Sequence, residues 1–257
     1  MKLKKISDTE ENVLSRYMNF DKLLFLLDKG LYFTSLQKFD DPLDGATSLQ
    51  KFFTRIFQIR ESGQINQGVD LSNLAQKETI KSEIDSYQKN VFASCWFRSN
   101  SELEESIAMW NLYTKKDDGF LLQIKKNSLL DLLSSVNNIK DCHEDIHFGS
   151  VNYFTFFEEI VNPNPADILH PAFVKNKSYE HEKEFRIVIY RNPKLEEIEY
   201  MPIDLDIKNT LNDVTIIAHP NMEKGILDEF KVYFNKFNLD LKESSLITKD
   251  KMKSIFN

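Results

Sequence analysis

Cysteine is scarce in this chain of 257 residues: only Cys95 and Cys142 occur, in unrelated contexts. Neither a disulfide framework nor a CxxC metal site can be built from them. Long apolar runs are missing too. None approaches the roughly 18 residues a membrane helix needs, and the first residues are charged, so neither a membrane span nor a signal peptide is expected. Dense positive charge is a third absence. Beyond Lys2 to Lys5 there is no Lys/Arg block, and 33 basic against 40 acidic residues leave a net charge of −7. That balance argues against nonspecific nucleic-acid binding and leaves only a local basic cleft for such a role. No internal repeat or low-complexity linker stands out. These absences together are those expected of a soluble, cytoplasmic protein.

Aromatic packing is what the chain has in quantity: 20 Phe and 9 Tyr within a hydrophobic content of 41%. The length suffices for a sizeable core and predicts a single domain over residues 1–257. Phe20, Leu23, Leu24, Leu26 and Leu27 at helical spacing predict a helix from Asn19, a suitable N-cap, to Gly30, a suitable stop. Strands are expected at 31–35, 91–97, 119–124, 151–157, 198–203, 214–218 and near 239–246, and helices at 103–113, after 124 to about 133, and 222–237. The polar stretch from about 46 to 90 reads as a helical insertion or lid. Strands and helices alternate without a steady βαβ rhythm. The expected class is therefore α+β, with two packed, mainly antiparallel sheets, flanking helices and the insertion.

The segment Tyr179–Tyr190, YEHEKEFRIVIY, carries the strongest chemical signal. Glu182, Glu184 and Arg186 alternate as the sequence turns apolar and β-branched. Period two places all three on one face of a strand, with Phe185, Ile187 and Ile189 on the other. Two neighbouring carboxylates cost free energy unless a partner, a proton or a ligand offsets them. The pair reads either as a solvated face screened by Arg186 or as a catalytic carboxylate pair at a strand edge.

Four segments resemble a bacterial family known as domain-of-unknown-function family 2971. They are Arg16-Tyr17 with the helix ending at Gly30, LYFTS and Phe39-Asp40-Asp41-Pro42; Ser94, Met109, Trp110, Tyr113 and Gly119; Val151 and Tyr153; and Lys175, Tyr179, Glu182, Glu184 and Arg186. The sequence departs from that pattern in the CHEDIH approach at 142–147 and at His219-Pro220. The order of elements is also similar to ADP-ribosyltransferases, which implies that fold and NAD as the substrate. By this resemblance Arg16 grips the pyrophosphate, and Tyr17, Tyr32 or Trp110 stacks the nicotinamide. Ser94 shapes the pocket, and Arg186 belongs to the cofactor-binding set. Glu184, or Glu182 in its place, stabilises the positive charge growing on the ribose. The register leaves the choice between the two glutamates open. The acceptor, protein or nucleic acid among others, is unspecified. A defence or toxin setting, with an antitoxin or defence partner protein, follows from the resemblance alone. Bland alternatives stand beside these roles: Arg16 as a surface ion pair, Met109 and Trp110 as helix core, Ser94 as a core hydroxyl, and Asp40-Asp41-Pro42 as a turn.

Residues 143–147, HEDIH, match the HExxH pattern in which two histidines on one helical face bind zinc and the glutamate acts as base. Gly149 and a strand-like run from 151 interrupt the helix such a site requires. No third ligand follows, so His143 and His147 form only an alternative metal reading, and no metal is expected. A non-catalytic binding module is the remaining alternative. It would use the 46–90 insertion and need no pocket carboxylate.

Overall fold

The computed structural model describes residues 2–7, 10–46, 74–101, 104–136, 139, 142, 145–155, 168–205, 207, 213–247 and 252. Along the chain the elements are β1 (Lys2–Lys5), β2 (Val13–Asn19), α1 (Phe20–Lys29), β3 (Leu31–Ser35), α2 (Leu74–Asn90), β4 (Val91–Ser99), α3 (Ile107–Tyr113), β5 (Gly119–Lys125) and α4 (Lys126–Ser134). They continue with β6 (Asp145–Ser150), β7 (Asn152–Phe154), β8 (Val174–Asn176), β9 (Glu184–Tyr190), β10 (Tyr200–Ile203), β11 (Val214–Ala218), α5 (Lys224–Asn235) and β12 (Leu241–Lys242). Short 3₁₀ turns occupy Leu36–Lys38, His170–Phe173 and Lys177–Glu182.

The class is α+β. Antiparallel ladders join β2 to β4 and β5, β5 to β11, β3 to β4, and β6 to β9. The pairs β1·β6, β11·β12 and β7·β8 are parallel. A large mixed sheet and a separate two-stranded one therefore take the place of two packed sheets. The parallel edge at β12 follows from its connection, because a parallel neighbour needs a crossover and α5 supplies one. Among the described residues no helix is long and apolar enough to cross a membrane.

The contacts divide the chain into two compact units: 1–8, 32–95 and 137–201 form the first, and 9–31, 96–136 and 202–257 the second. In the first, Leu36, Val91, Ala93, Leu169, Ala172, Phe173 and Val188 make a buried cluster. The second is packed by aromatics. Phe20, Phe120, Phe230 and Phe234 meet one another at centroid distances of 4.8 to 6.4 Å.

Helix α1 forms as the apolar spacing predicts, burying Leu23, Leu26 and Leu27 and stopping at Gly30. Gly30 adopts φ +86 and ψ −154, a region essentially restricted to glycine, and a Cβ there would lie 2.3 Å from the Leu205 backbone nitrogen. Gly30→Ala is expected to cost about 1–3 kcal/mol. The check is the urea midpoint, which should fall without a change in slope.

Of the 46–90 stretch, residues 47–73 lie outside the described residues, and 74–90 form α2. The end of this helix is scaffold. Ile84 and Gln88 are buried, and the Gln88 amide donates to the Asp44 carbonyl at 2.8 Å and to that of Pro42 at 3.2 Å. Gly45, at φ +73, lets the turn pass close to the Tyr87 ring. The last turns of α2 thereby clamp the Asp41–Gly45 turn.

Candidate functional site

Strand β9 does not begin where alternation places it. Lys183 takes left-handed backbone, φ 41, and separates Glu182, at the end of the 3₁₀ turn, from Glu184, the first residue of the strand. Both faces of β9 are buried from Glu184 to Ile189, so the charged face is interior. The two glutamates are still brought together, by a residue from outside the strand. The Lys175 ammonium, at the centre of β8, donates to Glu182 Oε2 at 2.6 Å and to Glu184 Oε1 at 2.7 Å.

Arg186 completes the network and is fully buried. Its Nε donates to Glu184 Oε2 at 2.6 Å, and its two terminal nitrogens grip Asp44 at 2.6 and 2.7 Å. The same nitrogens also reach the Ala172 carbonyl at 2.7 Å and Glu184 Oε1 at 3.2 Å. This two-point grip is the arginine–carboxylate geometry that a lysine cannot make. The Phe39 ring lies 5.4 Å from the guanidinium, and the Tyr179 ring 4.5 Å from the Lys175 ammonium. The Tyr153 hydroxyl accepts from the Glu184 backbone N–H at 2.8 Å.

Two cations thus face three carboxyl groups, Asp44, Glu182 and Glu184, each no more than 6% exposed. A buried surplus of negative charge is relieved by taking up a proton, and burial raises the proton affinity of both Glu182 and Asp44. Burial, then a hydrogen bond to Glu184 and the charge of Glu184, push Glu182 up to about 7. Burial also works against ionisation of Glu184, but Arg186 and Lys175 outweigh it and hold that carboxyl well below the usual range. Lys175 is itself raised: burial opposes its charge, and Glu184, Asp44 and Glu182 more than compensate. Neighbouring carboxyls with divided proton affinities are a working arrangement for acid–base chemistry.

The other sequence-derived candidates are distributed over both units. Tyr32, half-buried on β3, and Ser94, fully buried on β4, lie in the first unit with the glutamates. Arg16, Tyr17 and Trp110 lie in the second. The Arg16 guanidinium sits 5.6 Å from the Trp96 ring. Tyr17 and Trp110 pack edge to face at 5.0 Å, and both are buried. The Tyr17 hydroxyl accepts from Ser106 N–H, and the Trp110 indole donates to Glu105. Trp110 and Met109 are helix core. His147 lies on β6, a strand, so the described part of HEDIH lacks the helical presentation a zinc pair needs. His143 and Glu144 lie outside the described residues.

Sequence reasoning missed the role of three residues. Asp44 reads as part of a turn, and no local pattern marks its side chain as buried. Lys175 and Tyr153 stand out in the sequence as positions but not as partners of the carboxylates. No curated protein and no solved structure matches the chain. Residues 109–187, which carry Tyr153, Lys175, Glu182, Glu184 and Arg186, match the model of the family described as Protein of unknown function (DUF2971), the family the sequence resembles.

Proposed function

We propose that the Glu182–Glu184 pair performs glycosyl transfer on NAD, moving ADP-ribose to an acceptor or to water. The divided proton affinity of two touching, buried carboxyls carries this reading. Glu184, kept anionic by Arg186 and Lys175, offsets the positive charge that builds at the ribose anomeric carbon. The carbon–nitrogen bond to nicotinamide breaks, its electron pair leaving with the nicotinamide. The acceptor oxygen bonds to the same carbon, and its proton passes to Glu182. A group titrating near 7 suits that task at neutral pH. A bacterial defence or toxin effector is the setting this chemistry fits.

A second reading rests on how fully the network is occupied. Arg186 spends all its donors inside it, and both Glu184 oxygens are engaged. A latch of this kind also serves a non-catalytic binding module. Incubation with adenylate-labelled NAD and lysate separates the two. Glycosyl transfer predicts label transfer or NAD loss that drops about 10²–10³-fold in Glu184→Gln while circular dichroism shows a folded protein. Absence of NAD turnover by the native protein overturns the enzymatic reading.

A further inference from the structure

Beside the charged network, the Asp41–Gly45 turn holds an acceptor without a donor. Asp41 is 5% exposed. Its Oδ1 accepts from the Leu43 N–H at 2.9 Å, closing the turn, while its buried Oδ2 has no hydrogen-bond partner among the described residues. Carboxylate oxygens removed from water are costly to leave unpaired, so this atom marks a place built for a donor from elsewhere. Three residues on, Asp44 ties the same turn to Arg186. Tyr179 packs on Lys175, the residue that bridges the two glutamates. Its hydroxyl is acted on by Asp41 and Asp40 as well as by Lys175 and Glu182, and burial, the largest influence, raises its affinity for its proton. Tyr179 thus packs on the lysine that bridges the carboxylate pair and lies within electrostatic reach of Asp41.

Charge narrows the kind of donor. In and beside the network four carboxyl groups, Asp41, Asp44, Glu182 and Glu184, stand against the two cations Lys175 and Arg186. An anionic ligand group is disfavoured there, whereas a neutral donor suits the site. A pair of vicinal sugar hydroxyls supplies such donors, and a site that accepts from a hydroxyl rejects the analogue lacking it far more strongly than an apolar pocket does.

We infer that Asp41 Oδ2 is a ligand-binding acceptor that holds the vicinal hydroxyls of a ribosyl substrate next to the Glu182–Glu184 pair. The inference deepens the glycosyl-transfer reading and rests on it for the position of the sugar. It is tested by titrating the protein with adenosine, with NAD and with 2′,3′-dideoxyadenosine, in the native form and in Asp41→Asn. The asparagine keeps the Oδ1 acceptor for Leu43 and replaces the orphaned acceptor by a donor. Native protein is expected to bind adenosine at least tenfold more tightly than the dideoxy compound, and Asp41→Asn to lose that difference. Discrimination that persists in Asp41→Asn overturns the role of Asp41 and leaves the NAD reading intact. Discrimination by Asp41 without any NAD turnover upholds the hydroxyl site and removes the proposed reaction. Failure of the native protein to bind any of the three overturns the hydroxyl site outright, with a solvating water as the simple occupant of the position. A check that needs no variant is the ¹³C resonance of the Asp41 carboxyl, which should move on adding adenosine and stay still with the dideoxy compound.

Discussion

Arg186→Leu is expected to lower stability by about 3–5 kcal/mol, the usual cost of breaking a buried ion pair from one side. The site is fully buried, so lost packing adds to an effect that is mainly electrostatic. Asp44 and Glu184 would each keep a buried charge with its main counter-ion gone, and the Ala172 carbonyl would lose a donor. Glu184 would respond by rising toward the neutral form, since Arg186 is the largest of the influences that hold it down. For a chain of this size the loss corresponds to a fall in melting temperature of about 10 °C. Arg186→Lys should recover little of it, because a point charge cannot serve Asp44 at two points and Glu184 at a third. Combining Arg186→Leu with Asp44→Leu should restore part of the loss, as uncharged packing often matches a buried pair in stability. Urea unfolding of the single and double variants gives the coupling directly. A loss below about 1 kcal/mol for Arg186→Leu would mean that the guanidinium is not the counter-charge of this network.

Much of the scaffold around this network was legible in the sequence. Regular spacing of Leu23, Leu26 and Leu27 between Asn19 and Gly30 defines α1, and the apolar runs in β4, β5 and β11 predict strands with boundaries close to those observed. What local pattern could not convey was pairing between distant segments. Glu182 and Glu184 are two residues apart and look like strand neighbours, yet one left-handed residue, Lys183, separates turn from strand. Their meeting depends on Lys175, seven and nine residues away. The Asp44 contact spans 142 residues, and no periodicity reports a contact of that separation. Helix α3 begins later than its apolar pattern suggests because Ser106 caps it, accepting from Met109 N–H, while the Ser106 N–H is held by the Tyr17 hydroxyl. The terminal strand is likewise short. Beyond Lys242 the chain is fastened instead by Glu105, which accepts from Ser244 and Ser245 at 2.7 to 2.9 Å. In each case a side chain displaced the regular ladder, a competition that residue-type patterns signal only weakly.

The stability of the native protein should fall as pH rises from about 4.5 to about 7, and Glu182→Gln should remove the Glu182 share of that slope, leaving that of Asp44, which burial also raises. The folded-state value of Glu182 is raised above 4.5 to about 7, so within this interval the folded chain keeps a proton that the unfolded chain has released. The resulting contribution is fully present below the unfolded value and disappears as pH rises through the folded one. Its size is about 3 kcal/mol at 1.36 kcal/mol per unit of displacement. Glu184 acts in the opposite sense. Its folded value lies well below 4.5, so its contribution is present above the unfolded value and is lost only as pH falls through the folded one. The two windows therefore lie on either side of pH 4.5 and are separable in one series of urea melts. Glutamine imitates the protonated Glu182, keeps an acceptor for Lys175 and removes the titration, so the variant should be the more stable form at pH 8 and nearly equal to the native protein at pH 4.5. Flat native melts between pH 5 and 8 would contradict the shared proton. If the pair also carries out glycosyl transfer, activity should run against stability. The ionised Glu182 is the proton acceptor, so turnover should rise through the same interval with an apparent value near 7. Coincidence of the two midpoints, and loss of both in Glu182→Gln, would tie the reaction and the folding equilibrium to one proton. Turnover that rises with pH equally in Glu182→Gln would assign the base to another residue while leaving the stability argument in place.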